Sequence, residues 1–386
     1  ATLLDNGTIN GQSGTNVTVE RYLTGSAPAS EDNWHLVGIP VASVSSNDFQ
    51  YCWLKEWSET AGSYNTLNPD VTLSTIMKGY SVRYTGDYTT LQFPGTLNTG
   101  VQSIGLTALG ANPEYTGFNL IGNPYPSAID WDLVTIPTNM DDAIYYWDDP
   151  AKIFKSYVNN TGVGSRYVPA MQGFFVHATD AATFGLSNAV RVNNAQPFYK
   201  ENAAQTLQLT SSGNNYQDYA FIHYDGNATA TFDGMYDAYK MFSGYDQVPQ
   251  IYTTTGNDNL SINTLQSIDQ TSTIPLGFKA GVSGQYSITA SGMESFDETT
   301  PIWLEDKTFN TSTNLKTNPI YSFTYNTNDN ADRFVVHFKS ALGLNTPENH
   351  KMTIYANGNT IFINPGTEKL QGEVIVYDIL GNQIVK

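Results

Sequence analysis

Short strand-like runs separated by turn residues recur along the whole chain, and this spacing constrains the fold more than any other feature. "NVTVERYL", "WHLVGIPV", "GYSVRYTG", "TTLQFPG", "GFNLIGNPYP", "AIYYWDD" and "GFFVHAT" follow one another in the first half. Runs of this length, closed by Asn, Gly and Pro, belong to a sandwich or barrel rather than to alternating strand and helix units. The composition agrees. Charged residues make up only 14% of the chain, aromatic residues are abundant, and Asn, Thr, Ser and Gly fill the places where a cytosolic enzyme would carry Lys and Glu, a mixture that favours β-structure. Helical periodicity is confined to residues 127–136 and 232–243. In the second of these, "DGMYDAYKMFSG" would set Met235, Ala238, Tyr239 and Phe242 on one face.

The 386 residues suffice for two or three domains. Composition shifts at "VNNAQPFYKENAAQ" (192–205), which is expected to separate two large blocks. The second block again reads as strands, from "TLQLTSS" through "DYAFIHYD" and "GQYSITASG" to "DRFVVHFKS". "LGLNTPENHKM" (342–352) reads as a linker, and the segment after it carries about three strands, too few for an independent core. The predicted class is all-β, with two tandem β-sandwich domains (1–195 and 196–343) and a short, incomplete C-terminal β module (344–386).

A formal net charge of −18, with no compensating Lys/Arg cluster, excludes nucleic acid as a partner. No apolar run is long enough for a membrane-crossing helix. "ATLLDNGTIN" lacks the basic start and apolar stretch of a signal peptide, so either a signal was removed or the chain is a piece of a longer product. The single cysteine, Cys52, cannot form an internal disulfide and is expected to be a small buried hydrophobe between Tyr51 and Trp53.

The stretch from Ile274 to Phe338 resembles the β-sandwich that precedes the sorting domain in secreted proteins of Bacteroidota. The matching features are Ile274-Pro275-Leu276, Gly284 with Tyr286, "WLEDK" at 303–307, Tyr321 with Phe323, and Arg333-Phe334. The final segment is similar to the start of the C-terminal sorting domain of type IX secretion cargo, through Asn364-Pro365, Val374 to Asp378, and Gly381. The first block resembles a module of the same surface proteins through "NVTVERYL", Trp34 to Pro40, "GFNLIGNPYPSAIDW" and "MQGFFVHAT". The resemblance implies an extracellular or outer-surface location and implies no activity. A sorting domain of that family continues for further strands after the position of Lys386. The expectation is that the remainder was cleaved, was left unresolved, or is replaced by a strand from another chain.

The sequence holds no recognisable catalytic motif: no Gly-x-Ser-x-Gly elbow, no His-Glu-x-x-His, no phosphate-binding Gly-Lys-Ser/Thr loop and no cysteine pair. Four of the five histidines, His35, His177, His223 and His337, sit in strand-like runs beside aromatics, and none has a partner at metal-ligand spacing; the fifth is His350. The neighbouring carboxylates Glu56/Glu59, Asp141/Asp142, Asp148/Asp149 and Glu305/Asp306 are the candidate pairs for a glycosidase reading, and most of them sit near turn signals. Calcium is the cofactor the sequence best accommodates. "DGNATATFD" (225–233) and "NTNDNAD" (326–332) present oxygen ligands at alternate positions, the latter through Asn328, Asp329 and Asp332; the same residues equally suit a polar hairpin turn. Trp53, Trp57 and Tyr64 are either sugar-stacking or core residues.

The function expected from these features is that of a non-enzymatic structural or adhesive cell-surface protein that self-assembles into a fibre or layer. The alternative is a carbohydrate-binding or adhesive module of a larger secreted enzyme. The expected partners are further copies of the chain, surface glycans and the type IX secretion machinery. Val374, Ile375, Val376 and Tyr377 carry no Lys, Pro or Gly to blunt a strand edge and form the expected joint. Leu3, Leu4, Ile9, Val17 and Val19 mark the opposite segment. Residues 1–10 reach ~33–36 Å when extended, enough to cross onto a neighbouring copy head to tail.

Overall fold

A computed structural model describes residues 3–4, 17–26, 32–193 and 205–339, together with the backbone of four short strands, Thr353–Asn357, Thr360–Asn364, Val376–Tyr377 and Gln383–Val385. The chain is all-β. Among the described residues the helical elements are four short 3₁₀ turns. The helical expectation over 127–136 reduces to the turn Trp131–Leu133, capped by Asp130, whose side chain accepts from the Asp132 amide. Over 232–243 the expectation fails. Ala238–Tyr239 pairs with the strand Asp258–Leu265, which takes the backbone groups a helix would need. Met235 is exposed while Ala238 is buried, so the shared face does not exist.

Asparagine sets the hairpins. Asn159-Asn160 joins the strands Ile153–Val158 and Thr161–Gly162, and Asn214-Asn215 joins Thr206–Gly213 and Tyr216–Tyr224. All four asparagines have positive φ. A two-residue turn matched to the right-handed twist of its strands requires this conformation, and Asn tolerates it.

The chain divides into two compact units, Ala1–Lys339 and Ser340–Lys386. In the first, four of the strands between residues 35 and 84 form a sheet in the order His35–Val37, Tyr80–Tyr84, Cys52–Ser58, Ser63–Thr66, and Val44–Ser45 pairs separately with Thr72–Leu73. A five-stranded sheet follows in the order Phe118–Gly122, Gly173–Ala178, Met140–Asp148, Ile153–Val158, Thr161–Gly162. Its second strand shows why the sequence reads as a continuous apolar run. Phe174 and Val176 face one core cluster, with Ile144 and Trp131, while Phe175 faces another, with Phe118 and Tyr145. A sheet buried on both faces loses the polar–apolar alternation of a surface strand.

Residues 206–337 build one large sheet that shares no strand with the sheets before it. All its pairings are antiparallel except that of Tyr216–Tyr224 with Asp258–Leu265, which is parallel. The two ends of the strand order, Thr311–Asn314 and Ile320–Tyr325, are consecutive in the chain, so the sheet nearly closes around its own core of Leu207, Ile222, Phe278, Ile288 and Phe334. In the same block Arg333, 1% exposed, forks onto Asp306, 0% exposed, with Nε–Oδ1 at 2.9 Å and Nη2–Oδ2 at 2.7 Å. Burial alone would raise the Asp306 carboxyl. The guanidinium and the Tyr321 hydroxyl outweigh it and hold the group below its usual value. The two blocks meet in the cluster that holds Phe118, Tyr145 and Phe175 from the first and Phe221, Ala238, Met241 and Ile262 from the second.

Residues 194–204 and the linker expected at 342–352 lie outside the described residues. Among the described residues of the second unit there are four strands, in two hairpins, where the sequence pattern shows about three. Thr353–Asn357 pairs with Thr360–Asn364, and Val376–Tyr377 with Gln383–Val385.

Candidate functional site

The histidines and paired carboxylates hold structure together. His177 Nδ1 lies 2.6 Å from Asp141, His337 Nε2 2.7 Å from Glu305, His223 Nδ1 2.8 Å from the Thr206 hydroxyl, and His35 Nε2 2.9 Å from the Thr24 carbonyl. His350 lies outside the described residues. Glu56 pairs with Lys78, Asp148 with Lys155, and Asp306 with Arg333. Glu59 accepts from the backbone of Leu109, Gly110 and Gly117 and from the Thr107 hydroxyl. Asp142 accepts from the Trp131 indole.

The calcium candidates turn toward their own loop. Asp329 Oδ2 accepts from the Asn326 amide at 3.0 Å and lies 3.6 Å from Arg333 Nη1, while the Asp332 amide donates to Asn330. Asn328 is in the same turn. In the other candidate stretch, Asp225 accepts from the backbone and side chain of Asn227. Among the described residues no group of three or more His, Cys, Asp or Glu side chains is placed to hold a metal ion.

Of the assembly residues, Leu3 docks through its backbone. Its N–H donates to the Pro126 carbonyl at 3.1 Å, and its carbonyl accepts from Arg191 Nη2 at 2.7 Å. The Leu3 and Leu4 side chains are exposed. Val17 and Val19 flank the start of the strand Thr18–Thr24, which pairs with Tyr88–Pro94 of the same chain, and both pack against the core that includes Leu23 and Phe93. Val376 pairs with Val385 and Tyr377 with Gln383. Ile9, Val374 and Ile375 lie outside the described residues.

Side chains converge instead on one face of the four-stranded sheet. The strand Cys52–Ser58 turns Leu54 into the core, so Trp53, Lys55 and Trp57 point to the opposite face. Arg83, Ser81 and Tyr64 stand opposite them in register. Lys55 Nζ sits 4.3 Å from the ring centroid of Trp34, and Arg83 Cζ 5.9 Å from it. Trp147, Phe154, Phe175 and Phe242 supply the facing wall of a cleft of about 400 Å³. Asp149 organises one side. It accepts from the backbone of Asn33 and Trp34 and from the Trp147 indole, and pairs with Lys152 at 2.7 Å. The Trp57 indole donates to the Phe118 carbonyl at 2.7 Å, and its ring meets Tyr64, Tyr115 and Phe175 edge to face. Both indoles are therefore locked by their own N–H bonds.

The two readings of Trp53, Trp57 and Tyr64 divide between these residues. Trp53 is 51% exposed and Tyr64 36%, whereas Trp57 is largely buried in the cleft wall. Sequence reasoning missed Lys55, Trp34 and Trp147. The period-2 spacing of "WLKEW" puts Lys55 between the two tryptophans on one face and was the available signal for it. Trp34 and Trp147 arrive through long-range folding. Cys52, half-buried against the core, has its thiol pushed up to about 11 by burial, which favours the neutral thiol at neutral pH.

A family model described as a domain of unknown function (DUF8693) matches residues 155–338. The match starts inside the five-stranded sheet and runs to the end of the large one. The chain is also similar to the minor fimbrium subunit Mfa5 of Porphyromonas gingivalis, with 24% identity over 341 residues, 77% of this chain and 27% of that protein. The chain thus spans about a quarter of the length of the curated relative it matches. No solved structure matches it. Among the described residues no helix is long and apolar enough to cross a membrane.

Proposed function

We propose that this chain is a non-enzymatic structural and adhesive part of a Bacteroidota surface fimbria. The observation that carries the reading is the similarity to a minor fimbrium subunit across 77% of the chain. The way the carboxylates and histidines are spent on loop anchors and strand pairs supports it. In this reading the chain self-associates, its terminal segments forming head-to-tail joints, and it reaches the surface as type IX secretion cargo. Immunogold electron microscopy of producing cells, with antibody raised against this chain, tests the location. Label along surface fibres is expected; label confined to the cell interior overturns the reading. Deleting residues 1–14, and separately placing Asp at Val374 and Val376, tests the joint. Fewer or shorter polymers are expected, and polymers unchanged in both variants remove the termini from the assembly.

A further inference from the structure

We propose that the cleft between the 52–66 hairpin and the 147–154 hairpin binds an acidic sugar, its carboxylate on Lys55 and its ring against the aromatic walls. This deepens the adhesive part of the function proposed above and rests on it for its biological use.

The electrostatic observation is the first support. In a chain with twice as many acidic as basic residues, 36 against 18, Lys55 has no carboxylate within ion-pair distance among the described residues. Its neighbour is the Trp34 ring, which lends cation–π attraction through its face but offers the ammonium no lone-pair acceptor. The ammonium therefore keeps donors for a ligand. An anionic group is the complement, and it must come from outside the described residues.

The shape and chemistry of the walls select the rest of the ligand. Aromatic faces carry negative potential, and the C–H groups on the flat side of a sugar ring carry the opposite sign. Tyr64, half-exposed at the rim, and Trp147, held by its bond to Asp149, both line the cleft and contribute aromatic surface to it. Ser63 and Ser81 also line the cleft and match ring hydroxyls. A cleft of about 400 Å³ with aromatic walls and few polar groups falls within the usual range of small-ligand sites. Because the indole N–H groups of Trp57 and Trp147 are already bonded within the protein, the walls need little reordering on binding.

Calorimetry on the intact chain tests the assignment, with methyl glucuronide, N-acetylneuraminic acid, their carboxylate methyl esters, methyl glucoside and trialanine as probes. At least one acidic sugar is expected to bind, and its ester to bind roughly tenfold more weakly, the worth of one charge-assisted hydrogen bond. Lys55→Gln should abolish the preference for acid over ester, Lys55→Arg should keep it, and Tyr64→Ala should weaken acid and ester alike. Equal binding of acid and ester to the unaltered protein overturns the proposal, as does binding of trialanine without the sugars, or of none of the probes. The ester comparison needs no variant and stands even if one fails to fold. Sugar binding without fibre labelling would remove the fimbrial location alone, and fibre labelling without sugar binding the sugar site alone.

Discussion

Two aspartates, Asp237 buried and Asp142 partly buried, make the fold's stability respond to pH below and near neutrality. Burial pushes Asp142 up to about 6 against the opposing indole N–H of Trp131, and pushes Asp237 up to about 7 against the amides of Thr264 and Asp233. An unfolded aspartate titrates near ~3.9. From about pH 4 to about pH 6–7 the folded chain therefore holds protons that the unfolded chain has released. The stability this contributes is complete below the unfolded value and is lost as pH rises through the folded ones. His35, whose imidazole burial lowers, pulls the other way, so the informative quantity is a difference between proteins. Asp142→Asn keeps the acceptor for Trp131 and removes the titration. Urea midpoints measured between pH 5 and 8 should fall less in Asp142→Asn than in the wild type; identical slopes would show that Asp142 does not titrate there. None of this was legible beforehand, because "MDDA" shows two adjacent carboxylates and burial separates them: Asp141 meets His177 and Asp142 meets an indole.

At the scale of elements, turn chemistry was legible and loop anchoring was not. The asparagine pairs and the strand runs mark the hairpins because the determining residues are adjacent in sequence. Glu59 acts at a distance. Its carboxylate holds Leu109, Gly110 and Gly117 amides at 2.8–3.1 Å, and with Thr107 it outweighs burial to keep the group below its usual value. Gly117, at φ +81°, lets the chain turn against the Ala178 carbonyl, where a Cβ would come within 2.2 Å. Glu59→Ala leaves three amides without an acceptor, at about 1–3 kcal/mol for each that stays buried. The loop is expected to open to water rather than bear that sum. Amide hydrogen exchange over residues 107–117 should then accelerate while the flanking strands Gln102–Leu106 and Phe118–Gly122 stay protected. Unchanged exchange in the loop would mean that other contacts hold it. The cleft follows the same pattern, since "WLKEW" reveals one face of one strand, whereas Trp34, Trp147 and Phe242 meet it only through tertiary pairing.

For the molecule as a whole, the sequence shows two blocks of strands, and the structure joins them through a common core. Beyond the shared apolar cluster, the Tyr239 amide donates to the Tyr145 hydroxyl at 2.9 Å, Asp142 N–H donates to the Gly234 carbonyl at 2.7 Å, and the hydroxyls of Ser156 and Ser261 are 2.9 Å apart. Separating the blocks would expose Phe118, Leu120, Phe175 and Phe221 and orphan these polar groups, so the blocks should unfold together. Tryptophan placement provides the test. Five of the six tryptophans precede residue 193, and only Trp303 lies in the second block. In a Trp303→Phe background, fluorescence therefore reports the first block alone. Phe221, 3% exposed in the shared cluster, belongs to the second. Phe221→Ala should cost about 3–5 kcal/mol, as truncation of a buried phenylalanine does. If the core is shared, the fluorescence midpoint in urea shifts with the far-ultraviolet circular dichroism midpoint, because loss in one block is transmitted to the other. If the blocks are independent, the fluorescence transition stays where it was while the dichroism splits into two steps, and the common core contributes no cooperativity.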